Sequence, residues 1–212
     1  MKLEGIAAIV TGGASGIGEE GSVVAGLSEA EQRHGVARFL VNCAGVPAAV
    51  KTVIKGNAYH PLDTFRRVIE INLVGTFNVI SKCAARLSTW ETQEEERGVV
   101  VNTASVAAYD GQIGQAAYAS SKAGVVGLTL PVARDLAQHR IRVVILAPGL
   151  FLTPMMMGLP PELRDSLGLQ VPHPSRLGRP DEYAQLVESI IANPMVNGEV
   201  IRIDGALRMA PR

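Results

Sequence analysis

The chain has 212 residues, 47% of them hydrophobic and only 19% charged, with 20 Lys+Arg set against 20 Asp+Glu for a formal net charge of +0. That length suits one globular domain and is short for two, and the composition excludes a disordered chain. Balanced charge removes any electrostatic reason to expect nucleic acid or an anionic membrane as a partner.

The first apolar run, residues 6–10 (IAAIV), predicts a strand and is too short for a signal sequence or a membrane span. A glycine-rich turn, Thr11 to Gly18, and a predicted helix at 16–33 follow. Further strands are expected at 37–41, 99–104, 141–147 and 199–203, and further helices at 63–88, 114–138 and 181–192. The strand runs are continuously apolar, as in parallel strands covered on both faces. Their alternation with helices predicts an α/β fold, a doubly wound parallel sheet of Rossmann type, in a single domain spanning 1–212. Residues 148–180, rich in Pro, Gly, Met and Leu, read as an irregular lid loop over a binding site. Cys43 and Cys83 have no CxxC or Cys/His spacing, so reduced thiols in a cytoplasmic protein are expected and no metal site.

Two segments carry chemistry. The strand–turn–helix at Gly12-Gly13-Ala14-Ser15-Gly16-Ile17-Gly18 presents backbone N–H groups and a helix N-terminus to an anion, as a dinucleotide pyrophosphate requires. The plain alternative is a tight turn that needs glycine. In the second segment, Tyr118 and Lys122 fall one helical turn apart on a shared face. A neighbouring ammonium favours the phenolate, so the tyrosine can serve as acid or base nearer neutral pH. Ser105 closes the third predicted strand, where a hydroxyl faces the ligand crevice of a parallel sheet and can hold a developing oxyanion. Taken alone, a YxxxK spacing is common by chance.

The TGxxxGxG turn together with Ser105, Tyr118 and Lys122 resembles the signature of the short-chain dehydrogenase/reductase family. The strings GVVVNTASVAAYDGQIGQAAYASSKAG, LAPGLFLTP and NGEVIRIDGALRM resemble its type II 3-hydroxyacyl-CoA dehydrogenases. By that resemblance Gly12, Ser15, Gly16, Ile17 and Gly18 bind cofactor, and Asn42-Cys43-Ala44-Gly45 lies beneath it. Pro148, Gly149, Phe151 and Thr153 belong to the loop at its nicotinamide end. Tyr118 and Lys122 contact it as well. Ser105, Tyr118, Lys122 and Asn72 form the catalytic set, Asn72 holding a proton-relay water. On its own Asn72 would read as a packing or kink residue. The implied cofactor is NAD, with NADP left open, the implied substrate a 3-hydroxyacyl-CoA oxidised by direct hydride transfer, and the implied assembly a homotetramer. Met155, Met156 and Met157 fit an apolar lid over an acyl chain or, equally, ordinary core packing. A related substrate (another 3-oxoacyl compound, a hydroxysteroid or an alcohol) and a catalytically silent binding or oligomerisation module are the alternatives.

The chain departs from the family between Gly18 and Asn42. That stretch holds one helix and one strand, too little for the second strand, helix and third strand that the family inserts there. The junction falls near Glu19-Glu20-Gly21. The family order 3-2-1-4-5-6-7 then reduces to 1-4-5-6-7, leaving the first strand as an exposed edge.

Overall fold

The computed structural model describes residues 6–12 and 19–211. Five parallel strands form one sheet in the order β1-β2-β3-β4-β5. They are β1 (Ala8–Thr11), β2 (Phe39–Asn42), β3 (Gly98–Thr103), β4 (Ile141–Pro148) and β5 (Val200–Ile203). The register runs Val10 to Val41 to Val101 to Val144 across four strands. Each strand is therefore a neighbour of the one before it, as the reduced order requires.

Side chains of a strand alternate between sheet faces, and the core divides accordingly. Leu40, Val100 and Val143 pack against α1 (Glu20–His34), α3 (Gly75–Leu87) and α4 (Ala116–Ala137) through Leu27, Val79, Ile80 and Val132. Phe39, Val41, Val99, Val101 and Val144 face the other way, onto Val187, Ile190 and Ile191 of α7 (Pro180–Ala192). Two covered faces explain the continuous apolar strands. Arg86 on α3 pins α1, donating to Glu31 Oε2 at 3.0 Å and Ser28 Oγ at 2.8 Å.

The expected elements are found, with ends shifted by a residue or two, except that the first helix begins at Glu20 rather than at 16. The helix expected at 63–88 is interrupted: α2 (Leu62–Ile69) passes through a five-residue π turn, Glu70–Val74, into α3. The run Leu62–Leu87 is long and apolar enough to cross a membrane, but Val79, Ile80, Ala84 and Leu87 spend its apolar face on the sheet. The stretch 148–180 is less irregular than expected, containing α5 (Pro154–Met157) and α6 (Pro161–Gly168). Both begin with proline, whose fixed φ and missing N–H suit the first helical turn, so the proline content there marks helix starts.

β1 behaves as an edge. Its residues alternate between exposed and half-buried, Val10 being 68% exposed. Among the described residues no strand pairs with its outer side.

Candidate active site

A cleft of about 300 Å³ opens where β2, β3 and β4 end. Ser105 comes from the end of β3 and Tyr118 and Lys122 from α4; Pro148, Gly149, Phe151 and Thr153 come from the end of β4. Cys43 and Gly45 form its β2 side. These nine expected residues therefore meet in one place.

Local structure fixes the catalytic groups. Ser105 is extended, and its Oγ accepts the Ala107 N–H at 3.1 Å, capping the 3-10 turn Val106–Ala108. The same hydroxyl lies beside the Tyr118 phenol and favours its phenolate. Lys122 lies one turn further along α4, its Nζ 5.9 Å from the Tyr118 ring centre. It donates to the Thr103 carbonyl at 2.8 Å, which leaves two of its three N–H groups for a ligand.

Burial dominates the electrostatics. It pushes the Tyr118 phenol above its usual 10.0, and the Ser105 hydroxyl pulls it only partly back. It also brings Lys122, 4% exposed, from 10.5 down to about 8. The expected lowering of the phenol by the ammonium does not set the Tyr118 value here, because desolvation outweighs it. Near neutral pH both groups carry their protons, and Tyr118 stands ready as an acid.

Asn72 is fully buried in the π turn. Its Oδ1 accepts the Val46 N–H at 2.8 Å, and its Nδ2 donates to Val46 O and Ser121 Oγ, both at 3.0 Å. The carboxamide fastens the loop after β2 to α4. Asn42 is likewise structural. It is 4% exposed, accepts from Thr11 Oγ1 at 3.2 Å and donates to Asn102 Oδ1 at 2.9 Å, tying three strand tips together. Ala44 donates its N–H to Thr11 Oγ1 at 3.4 Å and does not line the cleft.

The residues present fit the nicotinamide end of a dinucleotide. A Cβ on Gly45 would lie 3.3 Å from both Lys122 Nζ and Asn72 Oδ1, tighter than ordinary contact, so glycine lets the chain pass this close without displacing the lysine or the carboxamide. Gly12, at φ +138, turns at the tip of β1 against Cys43. Ser15, Gly16, Ile17 and Gly18 lie outside the described residues. For the adenosine end the fit fails among the described residues, since the second strand whose end would carry a ribose carboxylate has no counterpart beside β1.

Several site residues escape sequence reasoning. Thr103, through its carbonyl, anchors Lys122, and its hydroxyl meets the Tyr183 hydroxyl at 2.7 Å. Burial raises the Tyr183 phenol. Gln115 and Met209 also line the cleft, beside Met156 of the expected apolar lid. Thr103 stands within the Asn-Thr-Ala-Ser string and was within reach; Tyr183 and Met209 arrive by tertiary folding and leave no local mark.

Comparison with known proteins bears on the family and the fold. A model of the short chain dehydrogenase family matches residues 19–164. The chain is 55% identical over 194 residues to 3-hydroxyacyl-CoA dehydrogenase type-2 of Rattus norvegicus, covering 91% of this chain and 74% of that protein. For the protein of that name from Drosophila melanogaster the identity is 56%, covering 91% and 76%. The crystal structure of 3-hydroxyacyl-CoA dehydrogenase type-2 from Mycobacterium avium is similar at a TM-score of 0.88 and 40% identity, covering 94% of this chain and 78% of that one. Each match takes in nearly all of this chain and leaves part of the relative without a counterpart.

Proposed function

The chain belongs to the short-chain dehydrogenase family of oxidoreductases, which typically use NAD or NADP, and we propose that it interconverts 3-hydroxyacyl-CoA and 3-oxoacyl-CoA with NAD. The observation that carries this reading is the convergence of Ser105, Tyr118 and Lys122 on one cleft whose remaining wall includes apolar Leu150, Phe151 and Met156. Its support also includes the names of its relatives.

In the reductive direction Tyr118 gives its proton to the carbonyl oxygen, and in the oxidative direction it takes the hydroxyl proton. Ser105, held by its cap, hydrogen-bonds the same oxygen as charge develops there. Lys122, anchored on Thr103, binds the nicotinamide ribose with its remaining N–H groups. When bound, NAD supplies the hydride chemistry at the carbinol carbon. Asn72 keeps Gly45 and Val46 over the lysine.

The same reading makes residues 148–180 the lid of the substrate side and places the enzyme in the cytoplasm. It also makes it a homotetramer, joined through the Leu62–Leu87 run, α4 and β5. Val74, Phe77 and Leu130 are 40%, 48% and 46% exposed on those helices and supply apolar contact. The test is kcat/KM for acetoacetyl-CoA against a carrier-bound 3-oxoacyl group, a ketosteroid and a simple ketone. The acyl-CoA should lead by tenfold or more, roughly what one or two apolar contacts discriminate. A better steroid or ketone substrate would move the assignment within the family.

A further inference from the structure

Residues 204–211 leave β5 and return to the loop between Ser105 and Tyr118. Leu207 is anchored at 3% exposed, Arg208 faces outward, and Met209 is half-buried in the lining of the cleft with Met156, Leu150 and Gln115. The backbone beyond it is tied down, since Ile113 N–H donates to Pro211 O and Gln112 Nε2 to Ala210 O, each at 3.0 Å. The Met209 backbone lies close to Asp110 and helps to hold its carboxyl below the usual carboxylate range.

Asp110 is in turn part of a hub. Arg202, on β5, donates to Asp110 Oδ2 at 2.5 Å, to Asp204 Oδ2 at 2.7 Å and to the Leu207 carbonyl at 2.9 Å. Its guanidinium lies 5.3 Å from the Tyr109 ring centre. The Arg202 and Asp110 side chains are 22% and 18% exposed, so the pair is shielded and its geometry held. Neither side chain lines the cleft. What they hold is the segment that carries Met209.

We propose that Met209 is a specificity-determining residue that contacts the apolar part of the substrate, and that Asp110, paired with Arg202, is the positioning residue that keeps it over the cleft. An unbranched thioether adapts to chains of different length, which suits an acyl substrate. The proposal rests on the acyl-CoA reading for the identity of that substrate, and on geometry alone for the placement of Met209.

The test compares Met209→Ala with the parent chain on short and longer 3-oxoacyl-CoA substrates. KM for the longer chains should rise about three- to tenfold, kcat should stay within about twofold, and the NADH dissociation constant should not move. Asp110→Asn should reproduce that pattern, and combining the two should add little, because both act through one contact. The ¹³C methyl spectrum of the methionines gives a readout that needs no turnover. The Met209 resonance, assigned with Met209→Leu, should move toward its random-coil position in Asp110→Asn. An unchanged KM at every chain length in Met209→Ala, or a Met209 resonance unmoved in Asp110→Asn, would overturn the proposal. A joint fall of kcat, NADH affinity and Tm would do the same, because it marks a merely structural role. If the parent chain reduces no 3-oxoacyl-CoA, the acyl-CoA reading fails by itself. The variants are then read on whichever carbonyl compound is reduced, and the methyl spectrum still decides the placement.

Discussion

β4 and β1 have similarly apolar sequences and opposite fates. In β4, Val143 through Ala147 are 0% exposed; in β1, every second residue is exposed and Val10 is 68% exposed. The difference is one of neighbours, because β4 has a strand on each side while β1 pairs only with β2. The chemistry sits with the first. Ser105 follows the end of β3, and Lys122 and Pro148 belong to α4 and β4, the most enclosed part of the molecule, whereas the dinucleotide's adenosine end would fall beyond β1. Catalytic geometry and cofactor grip, joined in a full Rossmann sheet, come apart in this chain.

The largest expected effect tests the enclosed side. Tyr118→Phe should lower turnover at least about a hundredfold, the usual worth of a general acid–base, with Tm and NADH affinity unchanged. A variant keeping more than a few per cent of activity would break the assignment. Glu96→Ala should come next, in stability. The Glu96 and Arg142 side chains are 11% and 6% exposed, and Arg142 also donates to the carbonyls of Ile190, Ile191 and Val196. Removing the carboxylate strands that guanidinium, at a cost of about 3–5 kcal/mol in urea unfolding. A loss under 1 kcal/mol would mean that water reaches the pair.

A matched pair of valines sharpens the contrast. Val144→Ala should cost about 2 kcal/mol through the cavity it leaves, and Val10→Ala no more than about 0.5 kcal/mol. Equal losses would mean that β1 is covered in solution. The last effect is in pH. Burial holds the Tyr118 phenol above 10.0, so the phenolate needed for oxidation grows about tenfold per pH unit below that point. The oxidative kcat/KM should climb between neutral pH and pH 9, while reduction, which uses the protonated phenol, should gain nothing there and fall only as Lys122 loses its proton at about 8. An oxidative plateau near neutrality would show that bound cofactor lowers the tyrosine by far more than burial raises it.

Much of this architecture is legible in the sequence. Strand runs such as RVVILA, and the spacings of Ser105, Tyr118 and Lys122, are local signals, and local signals survive folding. The reduced sheet order and the exposed first strand follow from the short path between Gly18 and Asn42. Other features depend on tertiary contact. Nothing in Glu-Ile-Asn-Leu-Val marks a π turn, yet that turn sits at Asn72, whose carboxamide clamps Val46. Asn42 carries a family motif, but the neighbouring Thr11 and Asn102 claim its side chain. Met209 reaches the cleft from the distant tail and Tyr183 meets Thr103 from a distant helix, and no spacing rule connects them to Ser105.

The most direct test of the separation between chemistry and grip is reduction of acetoacetyl-CoA by this 212-residue chain with NADH and, side by side, with reduced nicotinamide mononucleotide, which lacks the adenosine half. Turnover with both, at kcat/KM values within about tenfold, is the predicted result, because little of the chain remains to hold the adenosine. A folded chain that turns over with neither, or that prefers NADH by a thousandfold or more, roughly 4 kcal/mol, would contradict it.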